Sequence, residues 1–553
     1  MHSNVTRDAY INGTNDNLSV ANSFATQFES ISNSAVNDCD KREFESLLNQ
    51  MSYDSSSTDI LSSINVEFVD SCIRELKTGK ASGPDELSAE HLLNAHPSVV
   101  VYLSLLFRSI LKHNYVPIGF GHGTVVPLLK DKLGNVNDMN NYRGITLIPT
   151  ISKLFEMVLL KLCLPYLETD ELQYGFKKGM GCVNAMFILN ETVDYFLSRG
   201  SSVFVAALDI KKAFDKVSHH KLFISLIKAG LPKVVVLVLF DWYSKLVMSI
   251  RWNGILSREF SVCNGVRQGS SLSPALFNVF INAFIVQLRL CNSGCKINGY
   301  FLGAIMYADD LLLLSASVDG LQNMLKCCFD VSLNLRLEFN CSKSVCCCVG
   351  PSSKLTLSSM SLGQDTIGWS NSFDYLGVSF NAGSKLTTNV NKIKQKFFAA
   401  SNCILGNTKS VNDVLKLSLM ESYCLPLLMY CTSALKLTTE QVRELNVGWN
   451  SIYRRIFGFH KWESVKSFIS GLGRLDFVHL RYFSILKFCK SGMINTNKTV
   501  SFITNMFCMS TDFRRLCIDA GLNNADSCDL ARVSVGKIKY CIHSTFNCRS
   551  LLV

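Results

Sequence analysis

Two adjacent carboxylates, Asp309 and Asp310, interrupt an otherwise apolar stretch, FLGAIMYADDLLLLSAS, over residues 301–317. Each flank has the length and apolarity of a buried strand, so the stretch predicts strand, tight turn, strand, with both carboxylates at the turn. Ionised groups held beside an apolar interior call for a compensating cation, and a divalent metal bound through oxygens is the usual one. Aspartate is also a common turn residue, so a solvated hairpin tip is the other reading. Both stand on this stretch alone.

A third carboxylate changes the picture. SVFVAALDI, residues 202–210, is an apolar strand ending on Asp209, and KKAFDKV turns it into a helix. Alone, Asp209 could cap that helix. Paired with the first stretch, it gives two strands that each deliver Asp at an apolar terminus, as in a two-metal site for phosphoryl transfer. Between them lies GVRQGSSLSPALFN, residues 265–278. Gly265 and Gly269 permit close backbone approach to a ligand, Arg267 and Gln268 offer donors, and Ser273-Pro274 opens a helix.

The elements around these motifs read as follows. Residues 1–60 are rich in Ser, Asn and Asp and predict a polar, loosely ordered lead-in with a short amphipathic patch between Phe24 and Leu48. Residues 61–115 predict a helical extension. TVVPLLK, residues 124–130, predicts a strand, followed by a polar loop and a second apolar segment from residue 145. Lys130, Lys132 and Arg143 bracket that loop, where cations could meet a phosphate or simply be solvated. Beyond residue 380 the apolar spacing is helical.

With 553 residues, 48% of them hydrophobic, the chain is long enough for several domains with cores of their own. A net charge of +11 suits a polyanionic partner. The N-terminus lacks a signal peptide, and no run reads as long enough to span a bilayer, so an intracellular protein without membrane contact is expected, in the nucleus and cytoplasm. The 22 cysteines then read as reduced thiols. Cys346, Cys347 and Cys348 fall in a strand-like run as small buried residues, and His219-His220 reads as a surface turn. His543 and Cys548 reproduce only the last spacing of a zinc knuckle.

Taken in order, ASGPDELSAEHLL, VVPLLKDK, NYRGITLIPTISKLFE, QYGFKKG, LDIKKAFDKV, GVRQGSSLSP, YADD, LEFNCSKS and FDYLGVSF resemble the successive motifs of the reverse transcriptases of non-LTR (LINE-type) retrotransposons. The resemblance covers about residues 64–380. It implies an α+β right-hand polymerase, with fingers and an antiparallel palm sheet over residues 116–380, a helical thumb over 381–460 and a helical C-terminal region over 461–553. It implies an RNA-directed DNA polymerase using an RNA template, a DNA primer, dNTPs and two Mg2+ ions, with Mn2+ as a substitute.

Carried onto matching positions, the resemblance makes Asp209, Asp309 and Asp310 catalytic, holding the metals with the Ile210 carbonyl. Phe214 becomes a steric gate against ribose. Gln268, Gly269, Lys130, Arg143 and Lys343 become nucleotide contacts, and Tyr307, Gly377 and Arg267 primer or template contacts. Lys392, Lys394, Lys396, Arg454 and Arg455 are candidate phosphate contacts in the thumb. Two other readings remain. One is a truncated, inactive element product that binds RNA or template-primer, suggested by the absence of a complete endonuclease or knuckle motif and by the polar lead-in. The other is a group II intron-type maturase.

Overall fold

VFVAAL carries no polar side chain on either face, the composition of a strand covered on both sides. In the computed structural model, which describes residues 9–33, 37–52, 55–131, 134–523 and 530–551, Val203–Leu208 is an inner strand of a four-stranded antiparallel sheet. The strand order is Val345–Val349, Val203–Leu208, Asp310–Ser315, Ala304–Tyr307. Val205, Ile305, Leu312, Leu314 and Cys347 share one face, as the two-residue period requires. They are buried in one core with Ala185, Met186, Leu189 and Val193 of the helix Cys182–Leu197.

The chain folds as two compact units that alternate along the sequence. The first contains Met1–Asp170, Ile210–Phe284 and Asp330–Phe339; the second contains Glu171–Asp209, Ile285–Phe329 and Asn340–Val553. The four-stranded sheet belongs to the second unit, as do the helices that follow it. Among these, Thr439–Phe457 begins at a Thr438 capping box and ends at Gly458, which adopts φ 74°. Its Trp449 and Tyr453 pack into the same core as Phe397 of the helix Asn391–Asn407.

The first unit is built on a sheet of Tyr142–Leu147, His122–Leu129, Val247–Trp252 and Ile255–Leu256, with Phe260–Ser261 paired to the third of these. The expected loosely ordered lead-in is corrected here. Asn17–Ser32 and Asp38–Gln50 are helices, each opened by a side chain, Asp16 and Asn37, that accepts a backbone N–H. Phe24 is fully buried against Tyr142 and Trp252, and Phe44 packs on Phe223 and Phe240. Average polarity hid them, because a few well-placed rings against a sheet and a helix suffice to fix a short helix.

One helix also departs from expectation. Ser273–Leu290 is, among the described residues, the only one long and apolar enough to cross a membrane, with a mean hydropathy of 1.3 over 18 residues. Some 56% of it is buried within the structure, including Phe277, Phe280 and Phe284. Its apolarity is that of a core helix.

Candidate active site

The carboxylate end lies in the second unit. Tyr307 and Asp310 pair across a two-residue turn made by Ala308 and Asp309, and Ala308 has φ 55°. Next along, Leu311 pairs with Leu208, so continuing the register by one residue sets Asp310 across from Asp209. Asp309 follows in the turn. Strand pairing therefore brings all three acids to one end of the sheet, with Asp310 exposed and Asp209 and Asp309 half-buried.

Asp209 is held by its backbone: its N–H donates to Ser344 Oγ at 3.1 Å, and its carbonyl accepts from the Asn340 N–H at 2.7 Å. Both partners come from NCSKS, whose Lys343 is exposed in the same turn. Ile210, the next residue, bridges to Phe339. Tyr375 of FDYLGVSF is buried, its hydroxyl donating to the Ile305 carbonyl at 3.4 Å. Burial, and after it the negative charge of Asp310, hold its phenol well above the usual range. Tyr307 is pushed up to about 12, mainly by burial and then by its hydrogen bond with Cys182. Gly377 adopts φ 79°, with the Tyr430 ring 3.9 Å from where a Cβ would stand.

A donor set of three carboxylates is hard oxygen throughout, which suits Mg2+ or Mn2+ over zinc or copper. Among the described residues, no group of three or more His, Cys, Asp or Glu side chains stands close enough to cage an ion unaided. Mg2+ in general is held by one or two carboxylates and completed by waters and substrate phosphates. Among the described residues, His543 and Cys548 belong to no such group. The described cysteines form no disulfide, and burial pushes the Cys346 and Cys347 thiols up to about 12, which suits packing and disfavours metal ligation.

The glycine-rich loop lies in the first unit. Gly265 (φ 94°) and Gly269 (φ 124°) occupy backbone conformations that favour glycine, and each passes close to a neighbouring backbone. A Cβ on Gly269 would lie 2.5 Å from the Thr146 carbonyl oxygen. The Gln268 carbonyl accepts from the Thr146 N–H at 2.7 Å, and its Nε2 donates to Asp215 Oδ1 at 3.1 Å. Burial raises the Asp215 carboxyl despite that bond and the charges of Lys212 and Lys130. Phe214 lies flat on Phe277, centroids 4.2 Å apart. Lys130 and Arg143 are exposed, with Lys130 Nζ donating to the Asn140 carbonyl; Lys132 lies outside the described residues.

Two expectations fail in this unit. Arg267, read as a primer or template contact, is 6% exposed: it donates to Glu156 Oε1 at 2.7 Å and to the Phe120 carbonyl, and lies over the Trp242 ring. Glu156 in turn accepts from the Ser271 N–H at 2.7 Å. Arg267 is thus a loop anchor, because a buried guanidinium needs a buried carboxylate. His219, read as a surface residue, is buried with Nε2 2.9 Å from the Gly265 carbonyl, and burial lowers it to about 4. The neutral ring therefore donates this bond. In the second unit, Lys392 and Lys394 are paired with Asp374 and Glu444, and Arg455 donates to Asn402.

Sequence reasoning missed Asp215, Glu156 and Gln173. All three stand inside the motifs named above, and a buried polar partner for each neighbouring donor was the signal available.

Residues 130–380 match the family described as reverse transcriptase (RNA-dependent DNA polymerase). They are a reverse transcriptase domain of the non-LTR retrotransposon type. The Pol polyprotein of the R2DM element of Drosophila melanogaster is 28% identical over 45% of this chain and 24% of its own length. The jockey RNA-directed DNA polymerase of the same fly is 24% identical over 67% of this chain and 41% of its own. The chain thus spans well under half the length of these relatives. A solved telomerase from Candida albicans aligns at 13% identity with a TM-score of 0.38, over 74% of this chain and 67% of that one. The reverse transcriptase domain contains all three acids, the glycine-rich loop and the LEFNCSKS turn, and its fold is the α+β right-hand polymerase class.

Proposed function

We propose that the chain is an RNA-directed DNA polymerase that adds dNTPs to the 3′-hydroxyl of a DNA primer on an RNA template, in the nucleus and cytoplasm of its host cell. The observation that carries this reading is the register that brings Asp209, Asp309 and Asp310 to one end of a sheet inside a reverse transcriptase domain. Asp209, Asp309, Asp310 and the Ile210 carbonyl would hold two divalent ions, Mg2+ or in its place Mn2+. When bound, such ions lower the pKa of an attacking hydroxyl and neutralise a leaving pyrophosphate.

The remaining roles belong to the chain itself. The Phe214 ring, backed by Phe277, is stiff enough to exclude a ribose 2′-hydroxyl. Gln268, fixed at both its carbonyl and its amide, and Gly269 line the nucleotide. Lys130 and Arg143 offer cations to its triphosphate, and Lys343 gives a proton to the departing pyrophosphate. The Tyr307 ring and the side-chain-free Gly377 border the primer end. Of the thumb cations, the ion-paired Lys392 and Lys394 are the weaker candidates for phosphate, and Lys396 the stronger.

The test is dNTP incorporation on an RNA template with Mg2+. Asp309→Asn is expected to lose roughly 10³-fold, equivalent to several kcal/mol of charge stabilisation. Equal activity in the two proteins, or salt-dependent RNA binding with no incorporation by either, would overturn the reading.

A further inference from the structure

The turn that aims Asp309 is a strained one. A two-residue hairpin loop needs positive φ at its first residue, a place glycine or asparagine usually fills. Here it is Ala308, buried, at φ 55°. An alanine in that region is unfavourable by itself and persists where the surroundings enforce it.

The surroundings are QYGF, residues 173–176, in the same unit. This segment runs beside the Ala304–Tyr307 strand: the Met306 N–H donates to the Leu172 carbonyl at 2.9 Å, and the Tyr174 N–H to the Met306 carbonyl at 2.8 Å. Between them the Gln173 side chain, with no exposed surface, reaches the turn. Its Oε1 accepts from the Ala308 N–H at 3.1 Å and from the Gly175 N–H at 2.9 Å. Two N–H donors converging on one atom identify that atom as oxygen. Nε2 then faces away, and among the described residues it finds no hydrogen-bond partner. A buried donor left in that state is unfavourable, so Gln173 is poor as a core residue and its merit lies in the acceptor. Gly175 completes the arrangement, since a Cβ there would stand 2.5 Å from the Ala308 nitrogen. A glutamate would offer the same acceptor but add a negative charge beside Asp309 and Asp310.

We infer that Gln173, seated by Gly175, is a positioning residue that clamps the Ala308 amide and thereby fixes the direction in which the Asp309 carboxylate leaves the turn. Its consequence for rate rests on the polymerase reading above; the clamp itself does not. Gln173→Met preserves length and apolar contact while removing the acceptor. Ala308→Gly removes the steric objection to positive φ, so a glycine turn should hold its shape with less help.

The experiment compares the full chain with Gln173→Met, Gln173→Glu, Ala308→Gly and the Gln173→Met/Ala308→Gly double variant. Amide hydrogen exchange across the turn is followed without nucleic acid, and single-nucleotide addition is measured separately. Gln173→Met should speed exchange at the Ala308 amide by about tenfold, the size of one lost hydrogen bond. It should also lower kcat by about tenfold or more while moving the KM for dNTP less than about twofold. Gln173→Glu, which keeps the acceptor, should keep the amide protected. The double variant should climb back toward the rate of Ala308→Gly alone. Unchanged exchange in Gln173→Met, or no recovery in the double variant, would overturn the clamp. A wild-type chain that adds no nucleotide would defeat the polymerase reading, and exchange alone would then decide the clamp.

Discussion

The carboxylate turn and the glycine-rich loop each hold a motif of an enzyme, yet they are stiffened in opposite ways. At the turn, ladder hydrogen bonds and one neutral side chain, Gln173, do the holding, and the charges stay at the sheet end, with Asp310 exposed. In the loop, charge is turned inward: Arg267 is neutralised by Glu156, Asp215 is bonded to Gln268, and His219 is kept neutral under the Gly265 carbonyl. The lesson is that a charged residue in a functional motif can be there for the substrate or for the fold. Burial tells the two apart, because an exposed carboxylate remains available to a cation while a buried ion pair is already satisfied.

This contrast can be broken by stability measurements. The largest effect belongs to Arg267→Met, which leaves the Glu156 carboxylate buried without its cation and should cost about 3–5 kcal/mol in urea unfolding. Asp309→Asn, by contrast, should leave the urea midpoint nearly unchanged while activity collapses. If Arg267→Met proved stable and lost template affinity instead, the distinction would fail and the original reading of Arg267 would return.

The pH dependence of stability sharpens the same point. His219 has a folded-state pKa lowered from 6.5 to about 4, so between these values the unfolded chain binds more protons than the native one. Its contribution is complete above pH 6.5 and is lost as pH falls toward about 4, on the order of 3 kcal/mol in all. His219→Gln should flatten that part of the stability curve, and an unaltered slope would refute the assignment. The smallest effect concerns Phe214. Phe214→Ala should relax discrimination against rNTPs on the order of tenfold with little change in dNTP addition. Unchanged discrimination would remove the steric gate and leave the Phe277 stack a packing feature.

Much of the fold was legible because apolar runs and breaks declare themselves locally. The apolar runs around Asp209 and Asp309, the turn at YADD and the helical spacing past residue 380 are all properties of neighbours in sequence. The helices Asn17–Ser32 and Asp38–Gln50 were not, since Phe24 and Phe44 are anchored by rings more than 100 positions away. Ser273–Leu290 was passed over as a membrane-length helix because its length is a property of the folded element.

The sequence by itself determined which chemistry is on offer: Asp209, Asp309 and Asp310 at apolar termini, a glycine-rich loop between them, and an order of motifs matching one class of polymerase. Only the tertiary structure decided how those residues are deployed. It put Asp310 across from Asp209 by strand register, buried Arg267 on Glu156, and brought Gln173 to the Ala308 amide. The physical reason is that residue type and spacing express local preference, whereas a partner's identity depends on desolvation and hydrogen-bond geometry between distant segments. The Asp309 carboxylate could be read from four letters, but the glutamine that holds its turn lies 135 positions before Ala308 in the chain.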